Sequence, residues 1–372
     1  MAIPALRSAR IQRLLQRVQR PWSRMVARRV LERNDVLAGR LLAELARTGQ
    51  GEFGSDTPRV VSSLLTRSDV AVMLVADTPS DADTPSDTVT RVLKLPLSAE
   101  AVQSTATHRQ VVSTLHSMPM LRSFVALIPR ALAWGDFEGQ HFYLETALGG
   151  RVASDLVRQG TAPAMFKQDA VRAIRQLHIG TAQRRVVDSV GFARLAGDDL
   201  ARLYEESKHW PDSTRMRDAL QSVEALLRRK FLGLTLPFAW THGDYWPGNI
   251  LVHAGGGVSG IIDWDRAIPN QLPLLDVLHL LAYLRKMQQR TELGEQIVEY
   301  LLPAAFDRQE QVLVDETLEH YGLPADRDFW HAATLLYWLR FTTANIVRYQ
   351  RLQSDTFWLS KNVFTVLKRG LP

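Results

Sequence analysis

The sequence predicts an α+β chain in two lobes, a small antiparallel β lobe and then a mainly helical one, behind an N-terminal helical extension. Three observations predict it. Between about residues 59 and 146 the apolar residues fall in short β-branched runs parted by turn formers. After Gly149-Gly150 nearly every apolar pattern has helical spacing. One short hairpin interrupts that helical half, where the apolar runs 250–253 and 258–262 flank Ala254-Gly255-Gly256-Gly257. A length of 372 residues suits more than one lobe, and 46% hydrophobic with 23% charged residues is a globular composition. The expected boundaries are 1–50 for the extension, 51–147 for the β-rich lobe and 148–372 for the helical lobe.

The extension reads as one or two helices over residues 7–45. Ile11, Leu14, Leu15 and Val18 recur at helical spacing among arginines, and Pro21 breaks the run. The first acidic residue is Glu32, so much of the formal net charge of +6 gathers here. Such a surface attracts anions. Two readings stand open: a solvated helix packed on the main body, or a basic amphipathic contact with an anionic membrane or a protein partner. An Arg-rich, acid-poor start also fits a transit peptide, but serine enrichment is missing. Trp22 is the only aromatic in this stretch, which gives no stacking ladder, and no nucleic-acid partner is expected.

In the β-rich lobe, strands are expected at 60–65, 70–75 and 89–95. Asp77-Thr78-Pro79-Ser80-Asp81 and its near-copy Asp83-Thr84-Pro85-Ser86-Asp87 form a solvated loop between the second and third. A helix is expected at 99–115, and two further strands at 130–134 and 141–146 around the turn Asp136-Phe137-Glu138-Gly139. Later helices are expected at 167–178, 198–207, 216–230, 274–288, 295–302 and 329–348. With no cysteine, disulfides, thiolate zinc sites, iron–sulfur clusters and a cysteine nucleophile are excluded. No apolar run is long enough to span a bilayer, and a cytoplasmic location is the expectation.

The chemistry concentrates around the hairpin. Trp240-Thr241-His242-Gly243-Asp244-Tyr245-Trp246-Pro247-Gly248-Asn249 precedes it, and Ile261-Ile262-Asp263-Trp264-Asp265 follows. A hairpin brings its two ends together, so Asn249 and Asp263 are expected as neighbours, with Asp244 on the loop just before them. An amide oxygen and a carboxylate are hard ligands that suit Mg²⁺, which takes few protein oxygens and leaves the rest to phosphates and water. Asp244, set apart from that pair, has the chemistry to orient or deprotonate an attacking hydroxyl. Base, Asn ligand and Asp ligand are the parts that phosphoryl transfer needs.

His242-Gly243-Asp244 with Asn249 resembles the catalytic loop of the aminoglycoside phosphotransferase and choline kinase-like family, and Ile261-Ile262-Asp263-Trp264-Asp265 resembles its metal-binding segment. The resemblance covers about residues 55–372. It implies a two-lobed protein kinase-like fold, ATP and Mg²⁺ as cofactors, and a hydroxyl-bearing small molecule (a sugar, amino alcohol or aminoglycoside-like compound) as acceptor. It implies Asp244 as catalytic base, Asn249 and Asp263 as metal ligands, and Lys94 as the phosphate-gripping lysine. Residues 143–150 resemble the hinge between lobes, which implies Glu145 C=O and Ala147 N–H as partners of adenine. Leu177-His178 and Asp276 resemble structural positions, the latter bracing the catalytic loop.

Two departures stand out. The loop Leu65-Thr66-Arg67-Ser68-Asp69 lacks the glycines the family often uses to approach phosphates, which leaves Ser68 as its phosphate donor. The helix after Lys94 carries His108 where a glutamate partner for the lysine is expected, and Glu100 lies too near the helix start. These departures keep a second reading open, a kinase-fold nucleotide or ligand binder with weak or no catalysis. A third, a zinc hydrolase built from His242, Asp244, His253, Asp263 and Asp265, leaves Asn249 and the two-lobe pattern unexplained. Trp246, Trp264, Trp330, Tyr337 and Trp338 either line an acceptor site or fill the core.

Overall fold

The computed structural model describes residues 24–53, 57–66, 68–78 and 88–370. The expected helix before residue 24 and the duplicated loop from Pro79 to Asp87 lie outside them. The described residues divide into two compact units, one up to Gly149 together with Gly260–Asp265, the other Gly150–Ser259 together with the residues from Arg266 onward. The first is a helix and a small antiparallel sheet and the second is mostly helical, which is the kinase-like plan that the sequence predicts.

The first unit opens with helix α1, Arg24–Arg47. A five-stranded sheet follows: β1 Thr57–Leu65, β2 Val70–Thr78, β3 Val89–Pro96, β4 Ala131–Phe137 and β5 Gln140–Thr146. Its order is β1-β2-β3-β5-β4 with antiparallel neighbours throughout. Period-two alternation sends Ala71, Met73 and Val75 of β2, Leu93 and Leu95 of β3, and Phe142 and Leu144 of β5 into one core. Ala38, Leu41, Leu42 and Leu45 of α1 recur at helical spacing and close that core. Each buried leucine there contributes about 1.5–3 kcal/mol.

The same alternation turns Lys94 and Glu145 away from this core. Helix α2, Ala99–His116, packs over β3, β4 and β5. Ser98 starts it, its hydroxyl accepting from Ala101 N–H at 3.2 Å. Its buried stripe runs through Ala101, Thr105, His108, Val111, Val112 and Leu115.

The second unit contains β6 Arg151–Val152, α3 Ala153–Gln159, α4 Phe166–Thr181, β7 Gln183–Val186, α5 Asp198–Ser207 and α6 Ser213–Phe231. Then come β8 Thr235–Thr241, β9 Ile250–Val252, β10 Val258–Ile261 (its last two residues assigned to the first unit), β11 Ile268–Gln271, α7 Leu274–Gln289, α8 Arg308–Tyr321 and α9 Arg327–Arg348. Two small sheets have the orders β10-β9-β6 and β11-β8-β7. The helix expected at 295–302 is a single α turn, Leu293–Gln296, passing into a π turn, Ile297–Leu301. α9 is buried along most of its length and brings Trp330, Tyr337 and Trp338 inside. No helix among the described residues is long and apolar enough to cross a membrane.

Candidate active site

β8 ends at Thr241, and the chain then turns sharply through His242-Gly243-Asp244. Gly243 makes the turn possible. Its φ is +74°, and a Cβ there would stand 2.3 Å from Arg266 O. Asp276, in the first turn of α7, holds the turn from below: His242 N–H donates to its carboxylate at 2.7 Å and Gly243 N–H at 2.9 Å. His178 of α4 approaches the same carboxylate with Nε2 at 3.1 Å, while its Nδ1 lies 2.6 Å from Tyr321 Oη. An ionised carboxylate only accepts, so Nε2 carries the proton and Tyr321 donates to Nδ1. Burial raises the Asp276 pKa, and the hydrogen bonds from His178 and the His242 backbone outweigh it, leaving the net shift downward. The bracing role expected of Asp276 is thus visible in its bonds, and His178 supports it.

Past the turn, Tyr245 is fully buried and donates to Ala170 O at 2.7 Å, which anchors the loop to α4. Asn249 folds back, its Nδ2 donating to Asp244 O at 2.9 Å. The same Nδ2 lies 3.3 Å from Asp244 Oδ2, so the amide nitrogen is engaged on the loop. The Asp244 side chain retains 22% exposure. Burial pushes its pKa up, but His279 and the Arg266 guanidinium outweigh this and hold it well below the usual carboxylate range.

His279 went unnoticed in the sequence. It sits on α7 one turn after Asp276, with Nε2 3.2 Å from Asp244 Oδ1 and Nδ1 3.0 Å from Tyr337 Oη. Its ring stacks at 4.4 Å on Tyr283, which meets Trp246 at 5.4 Å. The signal that would have found it is helical spacing: if Asp276 faces the loop, the residue three further on shares that face. Of the aromatics expected either in an acceptor site or in the core, Trp246 and Tyr337 belong to this cluster. Trp330 and Trp338 are core residues that donate to Leu301 O at 2.7 Å and Asn362 O at 2.8 Å.

The first unit holds the other expected residues. Lys94 lies directly opposite Tyr143, and Val92 opposite Glu145, so Lys94 and Glu145 are diagonal neighbours on one face of the β3/β5 ladder. Their side chains close into an ion pair of 2.7 Å, with the Glu145 side chain only 4% exposed. Burial raises the Glu145 pKa, but the charge of Lys94 and the hydrogen bond from His108 reverse that and bring it down to about 2.

Glu145 therefore turns its carboxylate toward Lys94. The Ala147 N–H, expected to meet adenine, already donates to Thr90 O at 2.8 Å, so the strand ladder uses it instead. Ser68 lies in a closed turn: its Oγ is 3.1 Å from Thr66 Oγ1, which also accepts from Val70 N–H at 3.1 Å. Asp69, at φ +55°, takes the left-handed conformation for which a glycine would have been the usual choice.

Asp263 is also left-handed, at φ +67°. Such a conformation costs about 1–3 kcal/mol in a non-glycine residue and persists where neighbours over-determine it. Trp264 supplies that restraint. It is fully buried, its Nε1–H donates to Ile261 O at 2.9 Å, and its ring meets Phe124 edge-on at 6.0 Å. Its backbone N–H donates to His108 Nδ1 at 3.0 Å, and Ser104 Oγ donates to Asp265 Oδ2 at 2.5 Å. α2 thus grips the segment from both sides of Trp264. Among the described residues no three His, Asp or Glu side chains gather as a metal cluster, and His253 is exposed at the β9/β10 turn.

A family model described as a phosphotransferase enzyme family, APH, matches residues 82–310. No curated protein matches the chain. Among solved structures it is similar to the aminoglycoside phosphotransferase APH(2'')-Ib with ADP bound, at 15% identity and a TM-score of 0.49, covering 88% of this chain and 97% of that one. It is similar to the aminoglycoside phosphotransferase APH(3'')-Id of Streptomyces rimosus at 20% identity and a TM-score of 0.43, covering 82% and 97%. A glucosamine kinase gives 16% identity and a TM-score of 0.44, covering 85% and 94%.

Proposed function

We propose, from the premise that this chain belongs to the phosphotransferase enzyme family, that it is an ATP-dependent kinase acting on a hydroxyl of a small molecule. Asp244 carries the reading. A carboxylate held ionised on a glycine-pivoted loop, partly exposed and braced from α7, is what an acceptor hydroxyl needs beside it. Its depressed pKa makes it a weak base, so it acts first by orienting the hydroxyl and takes the proton late, as the new P–O bond forms. That suits phosphoryl transfer, in which positioning does most of the work.

The other roles follow residue by residue. Lys94 presents its ammonium to nucleotide phosphates, held from behind by Glu145. Asn249 and Asp263 are the oxygen donors for magnesium, which when bound neutralises charge on the phosphates. The amide of Asn249 is oriented for this by its bond to Asp244 O, and the Asp263 backbone is strained into one conformation. His279, Tyr283, Trp246 and Tyr337 form an aromatic wall beside Asp244, and we assign the acceptor to that side. It suits the apolar face of a sugar ring or an amino alcohol.

A second reading, nucleotide binding with little turnover, draws on the closed turn at Thr66–Ser68 and the engaged Ala147 N–H. A phosphotransfer screen over hydroxylated metabolites, with the Asp244→Ala variant beside the native chain, separates the two. The kinase reading expects ADP release that depends on one acceptor class and disappears in the variant. Tight ATP binding with no acceptor-dependent ADP release would leave only the binder.

A further inference from the structure

The helix that follows Lys94 offers the lysine no carboxylate, yet the lysine has one. It comes from the neighbouring strand, and His108 of α2 completes the arrangement. His108 Nε2 lies 2.7 Å from Glu145 Oε2, and its Nδ1 receives the Trp264 N–H at 3.0 Å. The two partners fix the proton. A backbone N–H only donates, so Nδ1 is the bare nitrogen, and a carboxylate only accepts, so Nε2 bears the hydrogen. His108 is therefore a neutral imidazole. Lys94 Nζ stands 3.4 Å from the same Nε2, and since both are donors this is no bond; both aim at Glu145. The Tyr143 ring, edge-on at 5.5 Å, closes the remaining side. Both His108 and Glu145 are buried, at 2% and 3% exposure.

We propose that Glu145 and His108 are positioning residues: Glu145 fixes the Lys94 ammonium, and His108 ties that ion pair to the backbone of the segment that carries Asp263. The inference rests on the kinase reading, because it gives the pair its purpose. In the sheet, Lys94 and Glu145 are set by strand register. In the helix, His108 reads both ends, Glu145 through Nε2 and Trp264 through Nδ1. Asp263, directly before Trp264, is thereby held in its left-handed conformation by a bond whose other end leads to the phosphate-gripping lysine. The two groups that would meet the nucleotide phosphates and their metal are thus locked through one side chain.

The test compares His108→Leu, His108→Gln and Glu145→Gln with the native chain. Glutamine is the informative replacement, because its amide oxygen can accept from Trp264 N–H while its NH₂ donates to Glu145. Two readouts are used: calorimetric binding of ADP with and without Mg²⁺, and hydrogen exchange of the Trp264 amide in the nucleotide-free protein. His108→Leu is expected to speed Trp264 exchange about tenfold and to cut the Mg²⁺-dependent gain in ADP affinity about tenfold, the effect of losing one hydrogen bond to a charged network. His108→Gln is expected to recover both to within about threefold of native. Glu145→Gln is expected to weaken ADP binding about tenfold without Mg²⁺, since Lys94 loses its partner. Equal behaviour of His108→Leu and His108→Gln in both readouts would overturn the positioning role. Failure of the native chain to bind ADP under any condition would instead overturn the kinase reading, and the proposal with it.

Discussion

Replacing Asp276 by asparagine tests whether the turn His242-Gly243-Asp244 is held by one buried carboxylate. The side chain is 2% exposed and receives three donors: His242 N–H at 2.7 Å, Gly243 N–H at 2.9 Å and His178 Nε2 at 3.1 Å. His242 and His178 meet on Oδ2, and Gly243 meets Oδ1. Asparagine has one oxygen and one NH₂, so its nitrogen must face at least one donor. If the oxygen keeps the Oδ2 position, Gly243 N–H is stranded against another donor at the pivot of the loop. A buried hydrogen bond to a charged group contributes about 1.5–3 kcal/mol, and the two remaining bonds also lose their charge assistance, so the cost is about 3 kcal/mol. For a unit of this size that lowers the thermal midpoint by roughly 6–12 °C at pH 7.

The sign of the pH dependence follows from the same bonds. The folded pKa of Asp276 lies below its unfolded value, so the carboxylate contributes stability above about pH 4, and the contribution fades as pH falls through the folded pKa. The difference between native and Asp276→Asn melting curves should therefore be largest near neutrality and shrink in acid. Circular dichroism melts between pH 3 and pH 8 measure this. Midpoints within about 1 °C of native at pH 7, or a difference that grows in acid, would refute the reasoning.

Gly243→Ala should cost about 3 kcal/mol in urea unfolding, because it combines a left-handed residue, about 1–2 kcal/mol, with a Cβ 2.3 Å from Arg266 O. Gly139→Ala is the control. At φ +76° with nothing within 4 Å of its Cβ, it should cost only about 1–2 kcal/mol, and equal losses at the two sites would count against the close approach at Gly243. The depressed pKa of Asp244 means it stays ionised well below neutrality, so native kcat/KM should show no acid limb from this group above about pH 5. His279→Leu removes a contact that favours the ionised form and should move that limb upward by about one pH unit. Superimposable acid limbs below pH 5 for the native chain and His279→Leu would show that His279 does not tune Asp244.

Much of the fold was legible because local rules agree with the tertiary structure. Ser98 begins α2 as an N-cap should, and β-branched runs with turn formers between them mark the five strands of the first sheet. The candidate loop stood out in the sequence because Asp244 and Asn249 lie within six residues of each other and Asp263 follows the next hairpin. What stayed hidden depends on register and on distance along the chain. Alternation shows that Lys94 and Glu145 each turn away from the aliphatic core. Only the pairing of Lys94 with Tyr143 and of Val92 with Glu145 makes them neighbours, and period-two patterning does not fix that offset. The absent glycine at Ser68-Asp69 looked like a missing part, yet Asp69 supplies the positive φ itself. His279 is separated from Asp244 by 35 positions, and only its helical spacing from Asp276 could have pointed to it.

The origin of the Lys94 partner has a mechanical consequence. A carboxylate carried on a helix moves with that helix, and in protein kinases displacing the helix breaks the lysine pair and silences the site. Here lysine and glutamate sit on adjacent strands, and the backbone ladder between β3 and β5 sets their separation. Sheet hydrogen bonds resist shear, so the pair is indifferent to small shifts of α2. What α2 contributes is His108, a neutral side chain with one bond to Glu145 and one to Trp264. A shift of α2 would leave the ammonium in place and release the backbone that holds Asp263 in its strained conformation. The lysine is thus built as a fixed part of the sheet, and the restraint that α2 supplies falls on the segment from Gly260 to Asp265.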